Sequence, residues 1–331
     1  MGETERRARG LSLLSGGLDS QLAVKVLERA GVLVEAVCFS TPFFSPAAAQ
    51  KAAAALGVKL HVVDFTDDEI ALLENPPHGF GGAMNPCIDC HAAMIRRAGE
   101  MMRAMGFDFV STGEVLGQRP MSQNRQSLGV VARSSGLEGR LLRPLSAKLL
   151  EPTVPESEGL VDREKLLDVQ GRSRERQIAL AAEFGIEDYP SPAGGCKLTE
   201  EGYGRKLKDL RDHEGLRERR LVELLATGRR FRMPGGESVI LGRDKNENEL
   251  LGRNGDLGAL VRAVNCPGPT ALVPGRDEVS GDVLALVAAY SRSDRLGCDV
   301  ETAVKARGGE ETRRSVPRPY ARDAFRRYQI C

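Results

Sequence analysis

Residues 11–31 read LSLLSGGLDSQLAVKVLERAG, and this stretch decides the fold. Leu11–Leu14 is a short apolar run of the kind that a buried strand makes. Ser15–Ser20, SGGLDS, follows at once. Leu18–Arg29 then carries apolar residues at helical spacing (Leu22 and Val26, with Ala30 beyond), and Gly31 is a natural stop. Strand, paired glycines and helix together make an anion site. Gly16 and Gly17 have no Cβ to obstruct an approaching oxyanion, and the N–H groups of the first helical turn point the same way. Ser15 and Ser20 add hydroxyl groups. Asp19 would repel a bare phosphate, so it points to Mg2+ or to a part in orienting the loop. The spacing is neither GxxxxGK[ST] nor GxGxxG, which excludes a Walker loop and argues against a dinucleotide fold. Two glycines alone would read as an ordinary turn; the full hexapeptide at the end of the first strand favours the anion site.

Moving outward, Val32–Phe39 and Leu60–Phe65 read as further apolar strands, separated by an Ala-rich helix over Pro46–Leu56 that Gly57 ends. A helix over Ile88–Met105 leads to a fourth strand at Asp108–Ser111, and Arg174–Phe184 is helical. Strands alternating with helices predict an α/β fold, a parallel sheet flanked by helices. Such sheets bind ligands at the carboxyl ends of their strands. SGGLDS and Ser111–Gly117 both fall at such ends. Glu151–Gly159 reads as an exposed loop and Tyr189–Gly195, YPSPAGG, as irregular chain. Basic amphipathic helices are expected over Thr199–Leu210 and Glu214–Leu225. From Phe231 the pattern changes to short strands (Ser238–Leu241, Leu260–Val264, Thr270–Val273) with a helix at Val283–Tyr290. The expected organisation is a catalytic domain over 1–198, a helical connector over 199–230, and a smaller α+β domain over 231–331.

Cysteine usage adds a second chemistry. Cys87 and Cys90 form a CxxC at the start of the Ile88–Met105 helix, where the helix N-terminus would favour the thiolate. Cys196 stands on a glycine loop that reads as exposed. There is no second CxxC to complete a four-cysteine zinc site. Three thiolates around an iron–sulfur cluster would leave one iron open to sulfide. A Cys196 persulfide resolved by Cys87 or Cys90 is the alternative, and unrelated ordinary thiols are the plain one. His91 adjoins the motif and reads as structural. Cys38 reads as core.

These segments together resemble a known family. SGGLDS resembles the PP-loop of the N-type ATP pyrophosphatases, in which the loop holds the pyrophosphate released as a substrate is adenylated. TGEVLGQRPMSQ (Thr112–Gln123) and LLRPLSAKLLEPT (Leu141–Thr153) resemble the catalytic domain of tRNA 4-thiouridine synthases, and the likeness runs from about residue 8 to 210. The CxxC with a third cysteine is similar to the iron–sulfur-dependent tRNA thiolases. The resemblance implies uridine in tRNA as substrate, ATP with Mg2+ as activator, and sulfide or a cysteine desulfurase persulfide as sulfur donor. It implies pyrophosphate binding by Ser15, Gly16, Gly17, Asp19 and Ser20. It implies a 4Fe-4S cluster on Cys87, Cys90 and Cys196, and an adenylate or uridine pocket lined by Thr112, Gly113, Glu114 and Gln118. Ile240–Leu251, ILGRDKNENELL, weakly resembles the RNA-binding domain of NFACT proteins. No N-terminal THUMP region and no rhodanese-type domain are expected.

Bulk properties agree with this reading. Of 331 residues, 41% are hydrophobic and 28% charged, an ordinary globular balance. No apolar run approaches a membrane span and no secretory signal pattern opens the chain, so a cytoplasmic protein is expected. The formal net charge of +1 conceals an acidic first part and a basic stretch from Lys305 to Arg327, where a polyanion such as RNA would be attracted. The rival readings are an amidating PP-loop ligase and a non-catalytic RNA-binding protein with a vestigial nucleotide site.

Overall fold

The computed structural model describes residues 6–191, 195–292, 298–317 and 321–331. The chain divides into two compact units, Met1–Glu200 and Glu201–Cys331.

The first unit runs β1 (Arg9–Leu13), α1 (Leu18–Arg29), β2 (Leu33–Ser40), α2 (Ala47–Leu56), β3 (Leu60–Asp64), α3 (Thr66–Glu74), α4 (Cys87–Met105), β4 (Phe109–Ser111), α5 (Arg125–Ser135), β5 (Leu141–Leu142), α6 (Val154–Ser157) and α7 (Glu175–Phe184). Its five strands lie in the order β3-β2-β1-β4-β5, all parallel. A parallel sheet must be covered on both faces, which explains continuous apolar strands rather than alternating ones. One face packs Leu18, Leu22 and Val26 of α1 against Phe109, Leu142 and Ala181. The other packs Leu11, Val37 and Val110 against Ile95 and Met102 of α4. Gly57 and Gly106 end α2 and α4 in the left-handed conformation, at φ 71° and 69°.

Helices in such a sheet run back against the strands, so the N-terminus of each helix that follows or precedes a strand lies at the sheet's carboxyl edge. Moreover, β1 connects to β2 on one side and has β4 on the other, which makes the β1/β4 boundary the topological switch point. The ends of β1 and β4 are therefore where a ligand would enter.

The second unit holds α8 (Glu201–His213), α9 (Arg219–Glu223), β6 (Arg229–Arg232), β7 (Ser238–Leu241), α10 (Lys245–Arg253), β8 (Gly258–Ala263), β9 (Thr270–Pro274), α11 (Gly281–Tyr290), β10 (Val300–Lys305), β11 (Glu311–Val316) and β12 (Gln329–Ile330). The seven strands are ordered β11-β10-β8-β9-β7-β6-β12 and pair antiparallel. Phe231, Val239, Val261 and Val273 pack with Val283 and Val287 of α11 in its core. The expected helix over Glu214–Leu225 shrinks to Arg219–Glu223. Gly215 turns the chain at φ 78°, and Glu218 caps the restart by accepting from the Arg220 N–H. The basic stretch is also more than a solvated tail, because Lys305 ends β10, and Arg313 and Arg314 lie on β11 at the sheet edge. Arg318 lies outside the described residues. No described helix is long and apolar enough to cross a membrane.

Candidate active site

The SGGLDS loop caps β1 and opens α1. Gly16 adopts φ 83°, and a Cβ there would stand 2.4 Å from the Ala48 backbone carbon, so no other residue fits. Gly17 is the helix N-cap. The loop is braced from within. The Gly17 N–H donates to Ser15 Oγ at 3.3 Å, Ser20 Oγ donates to the Gly17 carbonyl at 2.8 Å, and Gln21 Nε2 donates to the Gly16 carbonyl at 2.9 Å.

The loop after β4 meets it directly. Gly113 packs so closely that a Cβ would lie 2.6 Å from both the Asp19 carbonyl carbon and the Ser20 nitrogen. Gln118 Nε2 donates to Asp19 Oδ2 at 2.8 Å. Burial raises the Asp19 carboxyl above its ordinary value, and the Gln118 hydrogen bond, the Arg174 charge and Gln177 partly offset that rise. Asp19 Oδ1 and Gln118 Oε1 are buried without a hydrogen-bond partner among the described residues.

Glu114 was expected to line the substrate pocket. It is instead enclosed and engaged: Arg143 Nε donates to its Oε2 at 2.9 Å, Thr112 Oγ1 donates to the same oxygen at 3.0 Å, and His91 Nδ1 lies 3.4 Å from Oε1. Burial alone would raise this carboxyl; the Arg143 charge and then the His91 hydrogen bond outweigh it and hold Glu114 well below the usual carboxylate range. Ser146 Oγ accepts from the Leu116 N–H at 3.0 Å, so the segment from Leu141 onward supports the loop through both Arg143 and Ser146.

Cys87 is the first residue of α4, and Asn85 Nδ2 donates to its sulfur at 3.1 Å. Cys196 is brought to the same edge by its neighbour: the Lys197 N–H donates to the Phe43 carbonyl at 3.0 Å, in the loop after β2. The three thiols share one neighbourhood. Charge on Cys196 or Cys87 raises the pKa of Cys90, and charge on Cys87 raises that of Cys196. Two expectations are corrected here. Cys196 is half-buried rather than exposed, and Pro192–Gly194 of the loop before it lie outside the described residues. The helix N-terminus does not favour thiolates at Cys90: burial first, then Glu69, push its thiol well up, and burial pushes Cys196 up to about 11. Among the described residues no three His, Cys, Asp or Glu side chains stand together as a single metal ion requires.

Sequence reading missed several residues of this edge. Glu69 on α3 is wholly buried against the Cys90 thiol, its oxygens make no hydrogen bond of ordinary geometry among the described residues, and burial pushes its carboxyl up to about 6. Arg174 and Gln177, at the start of α7, lie near Asp19. His91, set aside as structural, joins the cysteine helix to Glu114. Nothing in their spacing pointed to the site, because each comes from a different segment and convergence is a property of the folded chain.

Fold and loop define an α/β domain, a parallel five-stranded sheet with a glycine loop and a helix N-terminus at its carboxyl edge. More particularly, residues 6–148 match the family model described as Thiamine biosynthesis protein (ThiI). Over 142 residues the chain is 34% identical to a probable tRNA sulfurtransferase of Caldanaerobacter subterraneus subsp. tengcongensis, covering 40% of this chain and 35% of that protein. Over 146 residues it is 32% identical to a probable tRNA sulfurtransferase of Geobacillus kaustophilus, covering 41% and 34%. The chain thus spans about a third of the length of the curated relatives it matches. Among solved structures, a 4-thiouridine synthetase–RNA complex with bound ATP aligns at 22% identity and TM-score 0.35, over 54% of this chain and 52% of that one.

Proposed function

We propose that this chain is an ATP-dependent tRNA sulfurtransferase that adenylates a uracil carbonyl and replaces its oxygen with sulfur. One observation carries the reading: an unbroken path of contacts joins the thiols to the phosphate loop. Cys90 adjoins His91, His91 meets Glu114, and Gly113 beside it packs on Asp19 and Ser20. The family-model match over residues 6–148, which include both the loop and the CxxC, supports it, as does the likeness to probable tRNA sulfurtransferases.

In this reading the uracil oxygen attacks the α-phosphate of ATP, and pyrophosphate departs into the loop formed by Ser15, Gly16, Gly17 and Ser20. The α1 N-terminus faces the charge that develops there. Asp19 Oδ1 and Gln118 Oε1, both unpartnered oxygens, fit Mg2+, a hard cation that would neutralise the phosphates. A hydrosulfide ion then attacks the activated carbon, and AMP leaves carrying the uracil oxygen. The base must be turned out of its stack for either attack.

Cys87, Cys90 and Cys196 fit an iron–sulfur cluster of the 4Fe-4S type by donor chemistry. They are soft thiols in one buried neighbourhood, and cluster ligands stand further apart than the ligands of one ion. When bound, such a cluster would offer an iron without a protein thiolate, to which sulfide could bind. A buried thiolate beside Glu69 is costly without a cation, which favours the cluster over a free persulfide relay. The second unit would hold tRNA through its phosphates, with Arg313 and Arg314 among the contacts.

The test is mass spectrometry of nucleosides from total tRNA of cells lacking the protein, beside the parent strain. Loss of one thiouridine, restored by the wild-type chain and not by Cys196→Ala, is expected. An unchanged thionucleoside profile would remove the reading and bring the amidating ligase forward.

A further inference from the structure

The first turn of α7 lies outside residues 6–148, the part that matches the family. Gln177 in that turn is wholly buried; its amide faces Asp19, and neither its Oε1 nor its Nε2 makes a hydrogen bond of ordinary geometry among the described residues. Arg174, one turn earlier, has a buried Nε in the same condition. Both residues stand by Asp19 because α7 runs alongside α1: Arg29 at the end of α1 pairs with Glu183 and lies over Phe184 at the end of α7, so the first turns of the two helices meet. Gln118 Oε1 and Asp19 Oδ1 are likewise buried and unpartnered, so orphaned acceptors and orphaned donors stand beside one phosphate loop. Native proteins seldom leave such groups unpaired, because each gives up its hydration with nothing in return. A lone cation would satisfy the oxygens and repel Arg174. A lone anion would satisfy Arg174 and repel Asp19. A divalent cation bound to a phosphate oxygen satisfies both at once.

We propose that Arg174 and Gln177 complete the phosphate site, Arg174 donating to a phosphate oxygen and Gln177 Oε1 joining Asp19 and Gln118 on the Mg2+ side, directly or through its waters. This rests on the ATP-using reading above. Octahedral Mg2+ keeps several waters and takes few protein oxygens, which suits one carboxylate flanked by two amides.

Calorimetric titration of the full chain with inorganic pyrophosphate, with and without Mg2+, tests it. Mg2+ should tighten binding to the wild type. Arg174→Ala should weaken binding about tenfold or more under both conditions. Gln177→Leu should lose about tenfold of the Mg2+ enhancement, whereas Gln177→Glu, which keeps the oxygen, should retain it. Circular dichroism establishes that each variant is folded. Should Gln177→Leu fail to fold, Arg174→Ala and Gln177→Glu still decide. Variants that bind as the wild type does would overturn this proposal alone. A wild-type chain that binds neither pyrophosphate nor ATP would overturn the parent reading as well.

Discussion

Gly113 shows how much one missing methyl group can decide. It brings the loop after β4 into contact with the backbone of Asp19 and Ser20, closer than any Cβ allows. Gly113→Ala must push the two loops apart. Overpacking of this kind costs about 1–3 kcal/mol, and here the displacement falls on the phosphate loop. The variant should lose ATP affinity by about tenfold or more while remaining folded. Equilibrium dialysis beside a urea melt checks both; wild-type ATP binding would show that the loops tolerate separation. Asp19 and Gly113 were both legible as candidate site residues, but for different reasons. Asp19 stands inside a recognisable hexapeptide. Gly113 was expected to line a pocket, whereas its larger part is this close approach, which only the packed backbone displays.

Among the elements, α10 illustrates a cap hidden in a motif. Asp244 accepts from the Glu247 N–H at 3.0 Å, and Glu247 accepts from the Arg243 N–H at 2.7 Å while its carboxylate also pairs with the Arg243 guanidinium. The Arg243 guanidinium, donating to the carboxylate, is the main cause that holds Glu247 at about 2, below its ordinary 4.5, with the Arg243 N–H adding to it. The folded state therefore binds this proton less readily than the unfolded chain does. The stabilisation is complete above about pH 4.5 and is lost as pH falls through about 2. Glu247→Gln should destabilise the protein by about 1 kcal/mol at neutral pH, and the gap to wild type should close as pH approaches 2. Thermal melts across that window decide it; a gap independent of pH would assign the effect to packing rather than charge. Helix ends elsewhere were readable where a glycine closed them, as at Gly57 and Gly106. The expected Glu214–Leu225 helix failed because Gly215 lies inside what periodicity alone takes as continuous, and its positive φ breaks the run.

For the whole molecule, the proposed division of labour is chemistry on the first unit and RNA on the second. Charge reversal at Arg313 and Arg314, exposed on the edge strand β11, should weaken tRNA binding and flatten its dependence on salt. ATP binding should be unaffected. Filter binding across a salt series reads this out, and an unchanged slope would place the RNA contacts elsewhere. Spacing along the chain determined the parallel α/β class, the glycine loop between β1 and α1, and the CxxC. Each of these rests on residues within one strand–turn–helix unit, where backbone geometry follows from local periodicity and glycine. Only the tertiary structure decided that Cys196 joins the other thiols, that Glu69 is buried against Cys90, and that Arg174 and Gln177 lie near Asp19. Those groupings depend on which helix N-termini share the carboxyl edge of the sheet. Strand order sets that, and strand order is fixed by packing both faces of the sheet rather than by any segment alone.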